Sequence, residues 1–273
     1  MGITAKEVNE LRKKTGAGMM DCKKALTESN GNMESAIDFL RKKGQKIAAK
    51  RGDRNASEGL VVAKSEKDNG YLLCLNCETD FVAKNNDFGV LANSLVDLAI
   101  ETNASNLEIF LGQKYLDSEL SVSEKITEQS GVIGEKIEIS AFEKISANRV
   151  IAYNHPGNQI ATIVGLTEDE EEVGKQVAMQ VAAMNPIALD QESVTQDVID
   201  RELEVGKELA IQEGKPAEMA EKIAKGRLNK FFKETTLVNQ AFIRDNKKTV
   251  AQFLKETNPN LKVTDFKRYS LSI

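Results

Sequence analysis

Residues 59–98 read GLVVAKSEKDNGYLLCLNCETDFVAKNNDFGVLANSLVDL, and the hydrophobic texture changes twice along them. GLVVAK at 59–64 and GYLLCLN at 70–76 are apolar runs of strand length joined by a polar turn, the pattern of two paired strands. Phe88, Leu91, Leu95 and Leu98 then recur at helical spacing, which predicts a helix of about 15 residues with one buried face. Between the two textures lies Thr79-Asp80-Phe81-Val82-Ala83-Lys84-Asn85, read as a surface loop. Strand, strand, loop, helix makes an α+β unit.

Upstream, the first 40 residues read as three short helices. Thr4 and Glu7 form a capping-box pair ahead of Val8 and Leu11, and TGAG at 15–18 ends the first helix. The second presents Met19, Cys22, Ala25 and Leu26 before a Ser-Asn-Gly stop at 29–31. The third starts from an Asn32 cap and carries Met33, Ala36, Ile37 and Leu40 on one face. The glycine-punctuated stretch from Gly44 to Asn55 reads as a linker.

Downstream the same grammar returns, which hints at an internal duplication. Strands at 149–153 (RVIAY) and 159–166 (QIATIVGL) flank the turn NHPGN, and a helix is expected after Thr167, with Glu170 completing a capping box and the acids 168–172 in its first turn. From about 195 to 231 the pattern predicts an antiparallel helical hairpin: Gly214 stops one arm and Pro216 starts the next. Its apolar stripes are Leu203, Gly206 and Ala210 on one arm and Met219, Ile223 and Phe231 on the other. A helix capped at Asp245 and a strand near 262–269 close the chain. The expected division is 1–54, 55–140 and 141–273.

Composition removes several classes of function. Of the 273 residues 41% are hydrophobic, enough for a folded core, and no apolar run nears the ~20 residues of a membrane span. With no secretory signal pattern either, a cytoplasmic location is expected. Cys22, Cys74 and Cys77 are too few for a disulfide framework, and the odd spacing of the last two sends their thiols to opposite faces of a strand, which favours buried packing over a metal site. A single histidine, His155, excludes two-histidine metal motifs and stands in a turn suited to a partner contact or to solvent.

Each Gly-Lys pair, at 174, 206 and 214, lacks the following Ser or Thr of a phosphate-binding loop, so no direct nucleotide binding is expected, and neither a metal nor a cofactor is indicated. The net charge of −5 argues against a general nucleic-acid footprint, and no nucleic-acid partner is expected. One local exception is the segment 41–54, with seven basic residues against one acid; the alternative reading is an RNA- or ribosome-binding accessory protein that uses it.

The remaining signal is Asp80-Phe81, an acid beside an aromatic where a strand gives way to a polar turn. It can project as a charged wedge, or Phe81 can tuck under the following helix; composition alone leans to the second.

Two longer strings go further. LNCETDFVAKN at 75–85 closely resembles the signature of bacterial elongation factor Ts, the guanine-nucleotide exchange factor of elongation factor Tu, and LRKKTGAGMMDCKKAL at 11–26 resembles that family's other signature. The resemblance extends through GVIGEKI at 131–137, HPGNQIATIVG, the hairpin and FIRDNKKTV at 242–250, with departures at Cys74, where the family usually has glutamate, and in the proline of the His155 turn. It implies a ubiquitin-associated-like three-helix N-terminal module, then two related α+β subdomains with small antiparallel sheets and an inserted helical hairpin. It also implies a protein that is no enzyme, pairs with elongation factor Tu in a nucleotide-free heterodimer, and uses Thr79, Asp80, Phe81 and Val82 as a magnesium-displacing loop. Ile133 and Gly134 would lie near the same site, Arg12, Met19, Met20 and Lys23 would press beside the nucleotide's base and ribose, and His155 and Ile243 would grip the rest of the partner.

Overall fold

The computed structural model describes residues 2–271, which fall into two compact units. One comprises 2–62, 73–143 and 271; the other comprises 63–72 and 144–270.

The first unit begins with α1 (Ala5–Thr15), α2 (Met19–Glu28) and α3 (Met33–Arg51). Thr4 and Glu7 complete the expected capping box on α1, and Gly16 ends the helix at φ 70°, a conformation glycine adopts without a Cβ clash. Val8, Leu11, Cys22, Ala25, Leu26 and Ala36 meet in one small core. The expected linker is corrected here: α3, 19 residues long, continues into it as far as Arg51. Gly44 is no stop signal, because it is buried where α3 crosses α7 (Val122–Ile133), with Gly131 opposite. A glycine inside a helix loses propensity, yet it lets two backbones approach where a side chain cannot fit.

Strands β1 (Glu58–Glu66), β2 (Asn69–Cys77) and β3 (Glu138–Ser146) form a sheet in the order β1-β2-β3. As the middle strand, β2 is buried at every position from Gly70 to Cys77, which explains its unbroken apolar run and the burial of both of its cysteines. After it come α4 (Asp80–Ala83), α5 (Asn86–Thr102) and α6 (Leu107–Leu111). The expected face of Phe88, Leu91, Leu95 and Leu98 on α5 is buried. Helix α7 has a Ser121–Glu124 capping box and ends at Gly134, φ 81°.

The second unit repeats hairpin and helix. β4 (Arg149–Asn154) pairs antiparallel with β5 (Ile160–Leu166) in the register Arg149↔Leu166 to Asn154↔Ala161, and β8 (Val263–Ser270) lies antiparallel on the other side of β5. Helix α8 (Glu171–Met184) packs Val173, Val177 and Val181 into a core with Ile151, Val164 and Leu166. The capping box proposed for α8 does not form: Thr167 Oγ1 donates to the Asn260 carbonyl and accepts from Lys262 N–H, so its hydroxyl serves the chain entering β8. Glu170 takes the cap position but its side chain makes no capping bond, and only Glu171 and Glu172 of the acidic run lie in the first turn. The run is structurally engaged, with Arg149 reaching both Asp169 and Glu171.

The hairpin consists of α9 (Gln196–Gln212) and α10 (Ala217–Thr235), with Gly214 at φ 78° between them and Pro216 capping the second arm. Its α10 stripe differs from the expected one. Ala220, Ala224 and Phe232 are buried, whereas Met219 is exposed. Gly206 on α9 explains the shift: a Cβ there would lie 3.1 Å from the Ala224 Cα, so the arms meet through small residues. A short strand pair, β6 (Ala241–Phe242) and β7 (Asp245–Thr249), precedes α11 (Val250–Thr257). Asp245 lies in β7, and the cap of α11 is Thr249, in a capping box with Gln252. Among the described residues, no helix is long and apolar enough to cross a membrane.

Candidate functional site

The segment read as a loop at 79–85 is a single helical turn. Thr79 caps α4, its Oγ1 accepting from Val82 N–H at 3.4 Å, and the next cap, Asn85, begins α5 at once. A helical turn projects its first residues outward, and Phe81 is 83% exposed, more than any other large hydrophobic side chain among the described residues. The core reading of Phe81 is thereby overturned. Asp80 beside it bonds Lys84 Nζ at 2.6 Å, one turn on. That bond, with the lysine's charge, holds the Asp80 carboxyl below its ordinary range and raises Lys84. The turn therefore offers solvent an anion and an aromatic ring side by side.

The base of the turn is held by two acids, Glu78 and Glu135, that no local pattern singles out. Glu135 Oε2 accepts from the backbone N–H of Glu78 (3.0 Å) and of Thr79 (3.1 Å), and its Oε1 accepts from Thr79 Oγ1 at 2.7 Å. Glu78 reciprocates, accepting from Lys136 N–H at 2.6 Å and from Arg51 Nη1, 2.8 Å from both of its oxygens. Burial works to raise the Glu78 carboxyl, but these donors together outweigh it and hold the group below its ordinary range. Both stand inside the motifs at 75–85 and 131–137: Glu78 directly precedes Thr79, and Glu135 directly follows Gly134.

Beneath the turn, Cys77 Sγ donates to the Thr79 carbonyl at 3.2 Å. Burial first, then the Glu135 charge, push its thiol up to about 12, and burial pushes Cys74 up to about 11. Neither is poised as a nucleophile. Among the described residues, no group of three or more His, Cys, Asp and Glu side chains is placed to hold a metal ion.

Other expected contact residues share this unit. Ile133 ends α7 and Gly134 caps it, one residue before Glu135, so these positions and the α4 turn hang on one clamp. The turn at Gly16 lies near α7, where a Cβ built on Gly16 would stand 3.9 Å from Val132 Cγ1. That turn leads into α2, where Met19 and Met20 are 57% and 75% exposed and Lys23 is exposed; Arg12 is exposed on α1. The basic stretch is partly engaged: Lys43 pairs with Asp21 as Arg51 does with Glu78.

His155 and Ile243 lie in the second unit. His155 is exposed in a tight turn closed by its own N–H to the Ile160 carbonyl, its Nδ1 3.1 Å from Tyr153 Oη. Neighbouring Asn154 bonds both backbone groups of Ala63 through its side chain, as a strand residue would. Ile243 is 43% exposed, and its N–H donates at 2.8 Å to Gln180 Oε1. Gln180 is fully buried and also donates to Gln240 Oε1 and the Ala241 carbonyl.

Residues 78–272 match the family model described as elongation factor TS. The chain is 53% identical to "Elongation factor Ts" of Christiangramia forsetii and 51% identical to that of Amoebophilus asiaticus, each over 98% of both chains. It is 43% identical to that of Porphyromonas gingivalis, over 100% of this chain and 99% of the relative. These likenesses define a translation elongation factor. Within that class, the chain belongs to the elongation factor Ts family.

Proposed function

We propose that the chain is the nucleotide-exchange factor of elongation factor Tu and works through the Asp80-Phe81 turn. The observation that carries the reading is a phenylalanine 83% exposed on a capped and clamped helical turn. Leaving such a ring in water is unfavourable, and a partner that covers it recovers roughly 1.5–3 kcal/mol. The turn enters the partner beside its bound magnesium, where ring and carboxylate disturb the ion and its water ligands. With the ion displaced, the diphosphate's charge is poorly compensated and GDP leaves faster.

Ile133 and Gly134 approach the same region, while Arg12, Met19, Met20 and Lys23 press on the side of the base and ribose. His155 and Ile243 grip the remainder of the partner. In this division 1–54 and 55–140 act on the nucleotide site and 141–273 holds on. The chain itself does no covalent chemistry, binds no nucleotide or nucleic acid, and acts in the cytoplasm. Binding the empty partner more tightly than the loaded one weakens nucleotide binding by the same factor, so incoming GTP releases the chain.

The test is release of fluorescent GDP from elongation factor Tu with a catalytic amount of the chain. The reading requires many equivalents of GDP to be released per chain; release at the spontaneous rate would refute it.

A further inference from the structure

We propose that Glu135 is a positioning residue for exchange: it locks the wedge turn to the end of α7, so that Asp80-Phe81 and Ile133-Gly134 reach the partner as one rigid edge. This rests on the exchange function proposed above and adds the part that aims it. Glu135 sits immediately after Gly134, and its carboxylate gathers three donors from the opposite segment: Glu78 N–H, Thr79 N–H and Thr79 Oγ1–H. Thr79 Oγ1 is also the acceptor that caps α4, so the hydrogen bond that orients the hydroxyl also fixes the first turn under Phe81.

The lock is reciprocal. Glu78, from the wedge segment, accepts from Lys136 N–H on the segment that follows α7, so each segment holds the other by a carboxylate on backbone. Backbone N–H groups bonded to a carboxylate are among the stronger hydrogen bonds in proteins. Arg51 adds a third anchor by tying Glu78 to the last residue of α3, the helix whose earlier turns build the three-helix module. Phe81, 83% exposed, has no packing of its own to aim it. Its direction is inherited from Thr79 and therefore from Glu135.

A ring carried on a loose turn can still bind, but it must be ordered at the moment of displacement, which slows the displacing step more than it weakens docking. Contacts elsewhere, at Met19, Met20, His155 and Ile243, are untouched by Glu135.

The test uses the full chain with Glu135→Ala and Glu135→Gln. Gln keeps an oxygen for the two backbone N–H groups and an amide that the Thr79 hydroxyl can accept, so it is the rescue variant. Amide hydrogen exchange of Glu78 and Thr79 reads the lock directly, and release of fluorescent GDP from elongation factor Tu, titrated with each chain, reads its consequence. In Glu135→Ala, protection of those two amides is expected to fall roughly tenfold or more. The GDP release rate at saturation is expected to fall by a similar factor, with the half-saturating concentration nearly unchanged, and Glu135→Gln is expected to recover most of both.

Native release rates in Glu135→Ala despite lost protection overturn the proposal, and so does a rise in half-saturation alone. Retained protection in Glu135→Ala overturns the lock itself. A native chain that fails to accelerate release overturns the exchange reading instead, and is told apart because the amide protection does not depend on the partner.

Discussion

Gly44 of α3 and Gly131 of α7 face each other so closely that a Cβ built on Gly131 would lie 2.1 Å from the Gly44 Cα. Backbone atoms bound the space on that side, so no rotamer change can relieve the clash. Gly131→Ala is therefore expected to lose about 1–3 kcal/mol of stability from overpacking, even though alanine gains up to ~1 kcal/mol in helix propensity. A Cβ on Gly44 would meet Gly131 Cα at 3.4 Å, so Gly44→Ala should change stability by less than about 1 kcal/mol. Urea unfolding measures both; equal stability of native and Gly131→Ala chains contradicts the crossing.

Glu78 makes the stability of the first unit acid-sensitive. Its side chain is only 14% exposed, and its folded pKa lies below the ordinary value of 4.5 because Lys136 N–H and Arg51 outweigh the effect of burial. A depressed carboxylate stabilises the fold fully above its unfolded pKa, and the contribution fades as pH falls through the folded value. The difference in urea midpoint between native chain and Glu78→Gln should thus be constant near neutrality and shrink below about pH 4.5. A gap that widens on acidification contradicts the assignment.

All three cysteines are buried, and the Cys74 and Cys77 thiols are pushed up to about 11 and about 12. At pH 8 almost no thiolate is present at these two. Labelling with a thiol reagent should be slow in the folded chain and fast for all three groups in denaturant. Rapid native labelling at Cys77 contradicts the packing beneath Thr79.

Gln180 holds Ile243 from inside. Gln180→Leu leaves Gln240 Oε1 short of a partner in the interior, where an unsatisfied group costs about 1–3 kcal/mol, and it also frees the part-buried Ile243 N–H and Ala241 carbonyl. A loss of about 1–3 kcal/mol is expected in urea unfolding, with faster amide exchange at Ile243. A variant as stable as the native chain contradicts the network.

What the sequence reveals follows from the range of the forces involved. The β1-β2 hairpin, the buried face of α5 and the Thr4–Glu7 cap are local, and period or spacing exposes them. Gly44 reads as a break because only its partner Gly131, distant in sequence, makes it a contact. Thr167 and Asp245 look like caps until Asn260 and the strand β7 claim them. Small residues on α10 outrank Met219 because the arms approach at Gly206. The wedge itself was visible as Asp80-Phe81, but its exposure and its clamp were not: Glu78 and Glu135 stand 57 positions apart.

The central claim is that the exposed Asp80-Phe81 turn acts on the partner's nucleotide site. Stopped-flow release of fluorescent GDP from elongation factor Tu, at saturating concentrations of native chain and of the Asp80→Ala/Phe81→Ala variant, tests it most directly. Both side chains project from a one-turn helix and are not part of the core, so the variant should fold as the native chain does. The account predicts strong acceleration by the native chain and a release rate at least about tenfold lower for the variant, the effect of losing roughly 1.4 kcal/mol or more in the displacing step. A variant that releases GDP as fast as the native chain contradicts it.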